Sequence, residues 1–272
     1  MGEIAEALGE YRQADRWYTE SAHAPPFGGA LGIRSLKYPR LKPGGSKTHQ
    51  KVWLAFDRYY FTGSLSAYTR LAWDRFEAAA PGRKKVFWAE QTINAAGILL
   101  RKGLDEPWAY RVRGLVFAYG NDTDRAIKDL KTAGRRLARL ERPDGRIEAT
   151  LGHLYLEKKN AIQALPHLQA AVDLQPASAG AWRDLGLALI MGKQQEAAEQ
   201  ALNRSLELDA DSATSWYNRG LLHLHAQRYD QALRDLGEAA RLAPGNREVI
   251  ELLQRARALR RAHTPAPRPD GS

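Results

Sequence analysis

The chain has 272 residues, 44% of them hydrophobic and 26% charged, a composition that excludes disordered, collagen-like and membrane-embedded classes. No stretch without Lys, Arg, Asp or Glu is longer than Ser21 to Ile33, which is interrupted by Pro and Gly and falls short of the roughly 18 apolar residues that a membrane span needs. The absence of Cys excludes disulfides, thiolate metal sites and cysteine nucleophiles, and a net charge of +10 with a pI near 9.8 favours anionic partners.

In chain order, the first residues carry acids and no basic region leading an apolar core, so they do not read as a secretory leader and a cytoplasmic setting is favoured. Residues 1–28 read as the second-helix half of a repeat set out below, with Ala14, Tyr18, Ser21 and Pro26 at its marker positions. This opening is expected to be cut from a longer repeat protein. Residues 29–50 form a basic, Gly/Pro-rich insertion. Arg34, Lys37, Arg40, Lys42 and Lys47 lie in a stretch without one acidic residue, and they are expected to be exposed and to attract an anionic partner. Within it, Pro43-Gly-Gly-Ser-Lys-Thr48 lacks two of the glycines of a phosphate-binding loop and follows no apolar strand, so it reads as a turn with a capping hydroxyl. Residues 51–106 show helical periodicity over Val52 to Phe61, Ser66 to Ala79 and Lys85 to Lys102. They are read as degenerate helical repeats whose many aromatic rings fill a core.

From residue 107 a repeat is plain. Gly152, Gly186 and Gly220 recur every 34 residues, each followed by Ala164, Ala198 and Ala232, then Leu168, Leu202 and Leu236. An earlier copy runs through Gly114, Ala126 and Leu130. Trp182, Leu185, Gly186 and Leu189 line one helical face, and Ala198, Leu202 and Ser205 line another after a turn at Met191-Gly-Lys-Gln. Each unit is therefore a pair of antiparallel helices that hides its apolar stripes only by stacking on its neighbours. Four units are predicted over 107–140, 145–178, 179–212 and 213–246. A helix over 247–263, with Val249, Leu252 and Leu259, caps the open end, and a Pro-rich tail over 264–272 is expected to be disordered. Pro166 falls early in a second helix, where it could bend it.

Trp182-Arg-Asp-Leu-Gly186 and Trp216-Tyr-Asn-Arg-Gly220, with Pro176 and Pro244 closing their units, resemble the tetratricopeptide repeat pattern. Arg113 and Arg219 replace its Leu, His223 its Tyr and Glu148 its first Trp. The resemblance implies an all-α, right-handed helical solenoid that acts as a non-catalytic protein-interaction scaffold, holding a peptide or helix of another protein in the concave groove of the first helices. It places there Trp108, Arg111, Leu115 and Tyr119, then Arg146, Ala149 and His153, then Arg183, Leu187 and Ile190, then Tyr217, Asn218, Leu221 and Leu224. Asn218 alone fits a slot of the family's carboxylate-clamp subset, which argues against a chaperone-tail receptor.

No pattern for chemistry emerges. The seven His form no metal-ligand spacing, and no nucleophile elbow, dinucleotide fingerprint or calcium loop occurs. No catalytic residue, metal or cofactor is expected. Two other readings stand beside the scaffold. One is a basic solenoid that binds RNA or another anionic surface, with arginine clusters at 135–146 and 255–261. The other is an accessory repeat segment of a larger enzyme or of a secretion or assembly protein.

Overall fold

A computed structural model describes residues 66, 69–101 and 106–263. These are helical throughout, with no strand among the described residues. The chain divides into two compact units, residues 1–116 and 117–272. The basic insertion with Arg34, Lys37, Arg40, Lys42 and Lys47, the N-terminal half-repeat and the tail lie outside the described residues.

In the first unit, residues 69–78 are helical and α1 spans Arg83–Arg101. Between them the chain turns at Pro81-Gly82, where Gly82 takes a left-handed φ of 134°. Aromatic rings do serve as core here. Trp73 and Phe76 are buried with their ring centroids 5.5 Å apart, and the Lys85 ammonium lies 4.9 Å from the Phe76 ring. The division between the units falls inside α2, Pro107–Tyr119, whereas the repeat pattern starts its first unit at residue 107.

The second unit is a run of helices α3 (Thr123–Arg139), α4 (Gly145–Glu157), α5 (Ala161–Leu174), α6 (Ala179–Met191), α7 (Gln195–Leu208), α8 (Ala213–His225), α9 (Tyr229–Leu242) and α10 (Arg247–His263). Helices α4/α5, α6/α7 and α8/α9 are the pairs that the 34-residue spacing predicts. Capping explains why the first helix of each pair starts where it does. Asp144 accepts from the backbone N–H of Arg146 and Ile147, Ser178 from Ala181, and Ser212 from Ser215. The signature Trp ties each start to the preceding turn, since Trp182 Nε1 donates to Pro176 O at 2.9 Å and Trp216 Nε1 to Ala210 O at 2.8 Å.

Inside each pair the small residue lets the helices close. A Cβ on Gly186 would stand 2.6 Å from Leu202 Cγ, and one on Gly220 would stand 2.7 Å from Leu236 Cγ. Stacking then joins the pairs. One apolar core runs from Tyr155 and Leu168 through Leu185 and Leu202 to Leu222, and another joins Leu224, Ala232 and Leu236 to Ala256 of α10. Val249 of α10 is likewise buried, so this helix covers the end of the last pair. Pro166 sits on the exposed side of α5, which runs unbroken across it.

Candidate docking face

The first helices of successive pairs, α4, α6, α8 and α10, pack on one another along one side of the second unit. Because their sequences share the 34-residue register, the same levels recur: Ala149, Arg183, Tyr217 and Glu251 on one row, and His153, Leu187, Leu221 and Arg255 one turn on. The second row is joined across helices by charge. His153 Nδ1 lies 3.0 Å from Asp184 Oδ2, and the same carboxylate takes Arg183 through Nε at 2.9 Å and Nη2 at 2.8 Å. Asp184 is buried, and the bond it makes holds the His153 imidazole above its ordinary value. One carboxylate thus orients an arginine and a histidine from adjacent helices, and Glu157 lies 3.6 Å from the other ring nitrogen of the histidine.

Farther along, the face turns apolar. Leu187 and Ile190 are half-buried against the core, as is Tyr217, whose hydroxyl is held above its ordinary value first by burial and then by the nearby Glu248 carboxylate. Asn218 beside it is 3% exposed, and its amide makes no side-chain hydrogen bond to the described residues. Among the described residues the side-chain polar atoms sealed from solvent without a partner are His223 Nδ1 and Arg228 Nε, so the Asn218 amide keeps an opening to solvent.

The expected residues do not all share one setting. In the first unit, the Arg70 guanidinium lies 5.4 Å from the Trp108 ring and the Arg111 guanidinium 6.0 Å from that of Trp73. Leu115 is 7% exposed and belongs to the core of that unit. In the second unit Tyr119 is exposed at the end of α2, and Leu224 is buried in the core shared with α10. Ala149, His153, Arg183, Leu187, Ile190, Tyr217, Asn218 and Leu221 are the expected residues that lie on the shared face. Sequence reasoning missed Asp184, which organises two of them, and also Glu248 and Glu251. The 34-residue register would have found all three, since they stand at the levels of Asn218, Thr214 and Tyr217.

Polar groups buried in the packing of the last pair lie away from this row. Arg219 grips Asp235 with Nε on Oδ2 at 2.8 Å and Nη2 on Oδ1 at 2.9 Å, and reaches Asn203 of α7 at 2.7 Å. His223, 4% exposed, has Nε2 at 3.3 Å from Asp235 while its Nδ1 has no partner among the described residues. Burial is the main reason its imidazole falls below the ordinary value. No group of three or more His, Asp or Glu that could hold a metal occurs among the described residues, and none of their helices is long and apolar enough to cross a membrane.

Family models described as tetratricopeptide repeat match residues 150–213 and 213–246. Neutrophil cytosol factor 2 of Mus musculus is 39% identical over 54 residues, which are 20% of this chain and 10% of that protein, so the chain spans a small part of this relative. Among solved structures, the fold is similar to that of YrrB, described as a TPR protein with an unusual peptide-binding site (TM-score 0.54, 22% identity, 64% of this chain and 85% of that one). It is also similar to that of MamA (TM-score 0.50, 23% identity, 57% and 82%).

Proposed function

Because the chain is a tetratricopeptide-repeat protein over residues 150 to 246, we propose that the shared face of α4, α6, α8 and α10 holds a segment of another protein, without chemistry. The fold is that of a protein-interaction scaffold, and the observation that carries the docking reading is Asn218. The residue is 3% exposed, yet its amide is not sealed from solvent, so the main chain of a docked segment can supply it with a donor and an acceptor. Tyr217, Leu187 and Leu221 around it provide apolar contact of the kind that dominates hot spots. The peptide-binding site named for the similarly folded YrrB supports the same use of the fold. A single face of this kind reaches micromolar affinity, about −8 kcal/mol.

The test is to select peptides from a displayed random library on the whole chain and then measure their affinity for variants. Asn218→Ala, Tyr217→Ala and Leu221→Arg should each weaken binding at least tenfold while circular dichroism stays unchanged. Peptides that bind all three variants like the parent would place docking on another surface.

A further inference from the structure

The docking face is electrically ordered. At the α4/α6 end, the buried Asp184 fixes Arg183 and His153, the other ring nitrogen of His153 lies 3.6 Å from Glu157, and the Nη1 nitrogen of Arg183 has no acceptor among the described residues. At the α10 end, Glu248 and Glu251 are exposed and occupy the levels held by Thr214 and Tyr217 on α8. Among the described residues, the Glu251 carboxylate meets only Arg247 of its own helix, at 2.7 Å on a solvated surface where such pairs are weak, and Glu248 has no ion-pair partner. Tyr217 lies between the two ends on the row that Arg183 and Glu251 share, and Leu187 and Leu221 lie one turn on. Arg255 stands at the level of those leucines, so the acidic pair holds only the upper part of α10.

We propose that a segment docked here is read by its charge order: an acidic side chain against the Nη1 edge of Arg183, apolar side chains over Leu187, Tyr217 and Leu221, and a Lys or Arg against Glu248 and Glu251. The occupant is an extended stretch of a partner protein. Charge complementarity at both ends sets its direction and register, because the reversed order would place like charges together. Two helix-to-helix steps separate α6 from α10, about 16 to 20 Å, so an extended chain spans from its acid to its base in roughly five or six residues.

This inference rests on the docking reading, and the experiment separates the two. Ten-residue peptides are selected from a displayed random library on the full chain, and the enriched sequences are remade with a fluorophore. Enriched peptides should carry an acid and a base about five or six residues apart with apolar residues between. The doubly reversed variant Glu248→Lys/Glu251→Lys, altered only at exposed positions, should bind them at least tenfold more weakly and should recover when the peptide's base is replaced by Glu. Peptides that lose affinity with Leu221→Arg yet bind the charge-reversed variant like the parent would overturn the charge order and leave docking standing. An acid-to-base spacing of about eleven or more, as a helix lying across the face would need, overturns the extended occupant. No enrichment, or binding indifferent to Leu221→Arg and Asn218→Ala, overturns the docking reading and this one with it.

Discussion

Gly186 and Leu202 face each other so closely that a methyl group on the glycine would lie 2.6 Å from Leu202 Cγ. The clash is with a branch point buried in the core and not with a flexible tip, so the leucine cannot swing aside. Gly186→Ala therefore costs about 1–3 kcal/mol of overpacking, against which alanine's better helix propensity returns at most about 1 kcal/mol. Urea unfolding should show a net loss. Gly237→Ala is the control, because nothing lies within 4 Å of its Cβ position. It should be neutral or stabilising by up to about 1 kcal/mol. Equal midpoints for the two variants would remove the steric account of the repeated glycine.

Where the first helix of a pair meets the second, the chain passes through a left-handed residue that is not glycine: Lys159, Lys193 and Gln227 have φ of 56°, 57° and 57°. An L side chain there costs about 1–2 kcal/mol, of which glycine's greater freedom in the unfolded chain takes back a part. Lys193→Gly should raise the unfolding free energy by roughly 0.5–1 kcal/mol. Gly192→Ala should be tolerated, since Gly192 has a φ of −80°. A destabilised Lys193→Gly would contradict this.

Much of this fold was legible because the repeat fixes it locally. The 34-residue recurrence of Gly186 and Leu202 predicted both helices of each pair, and the residues of the cap over 247–263 were readable from periodicity. What was not legible depends on partners far apart in sequence. The turn at Met191-Gly-Lys-Gln was recognised, yet the residue that bends left is Lys193 and not the glycine. Arg219 looked like a degenerate substitution for Leu, but Asp235 stands 16 residues on to receive it. Arg113 and Asp129 repeat that pair of residue types at the same spacing. On the proposed docking face, the family resemblance pointed to His153 and Arg183; Asp184 stands at the register level of Asn218, but its contact with both is between helices and shows only in the structure.

The Arg219–Asp235 pair is largely buried and doubly hydrogen-bonded, so removing one partner strands a charge. Asp235→Ala is expected to cost about 3–5 kcal/mol in chemical unfolding, whereas Arg219→Leu combined with Asp235→Leu should return most of that loss. A double variant as unstable as Asp235→Ala would show that the pair does more than satisfy itself.

Two histidines give stability opposite pH slopes. His223 is pushed below its ordinary value of 6.5, first by burial, while Arg219 and Arg228 oppose its charge and Asp235 and Glu199 favour it. Its protonation favours the unfolded chain, so its contribution is complete above about pH 6.5 and is lost as pH falls toward the folded value. His153 is raised, chiefly by its hydrogen bond to Asp184. Its contribution is complete below about pH 6.5 and is lost as pH rises through the folded value. His223→Gln should flatten the acid side of a stability-against-pH curve, and His153→Leu should flatten the side above 6.5. Parallel curves for parent and both variants would refute the assignment.

The last helix carries the end of the second unit. Val249 and Ala256 are buried, and Leu252, Leu253 and Leu259 pack against the cluster of Leu224, Ala232 and Leu236. Ending the chain at Asn246 exposes that cluster, and each Å² of apolar surface returned to water costs about 25 cal/mol. The shortened protein should unfold at lower denaturant and associate through the bared face. A gentler version keeps the helix and alters one contact: Ala256→Asp places a charge in the seam and should mimic the truncation. Ile250→Gln, on the exposed side of the same helix, should change nothing. Light scattering and urea unfolding of the three forms decide the matter. A truncated chain as stable and monodisperse as the parent would show that α9 closes the unit by itself.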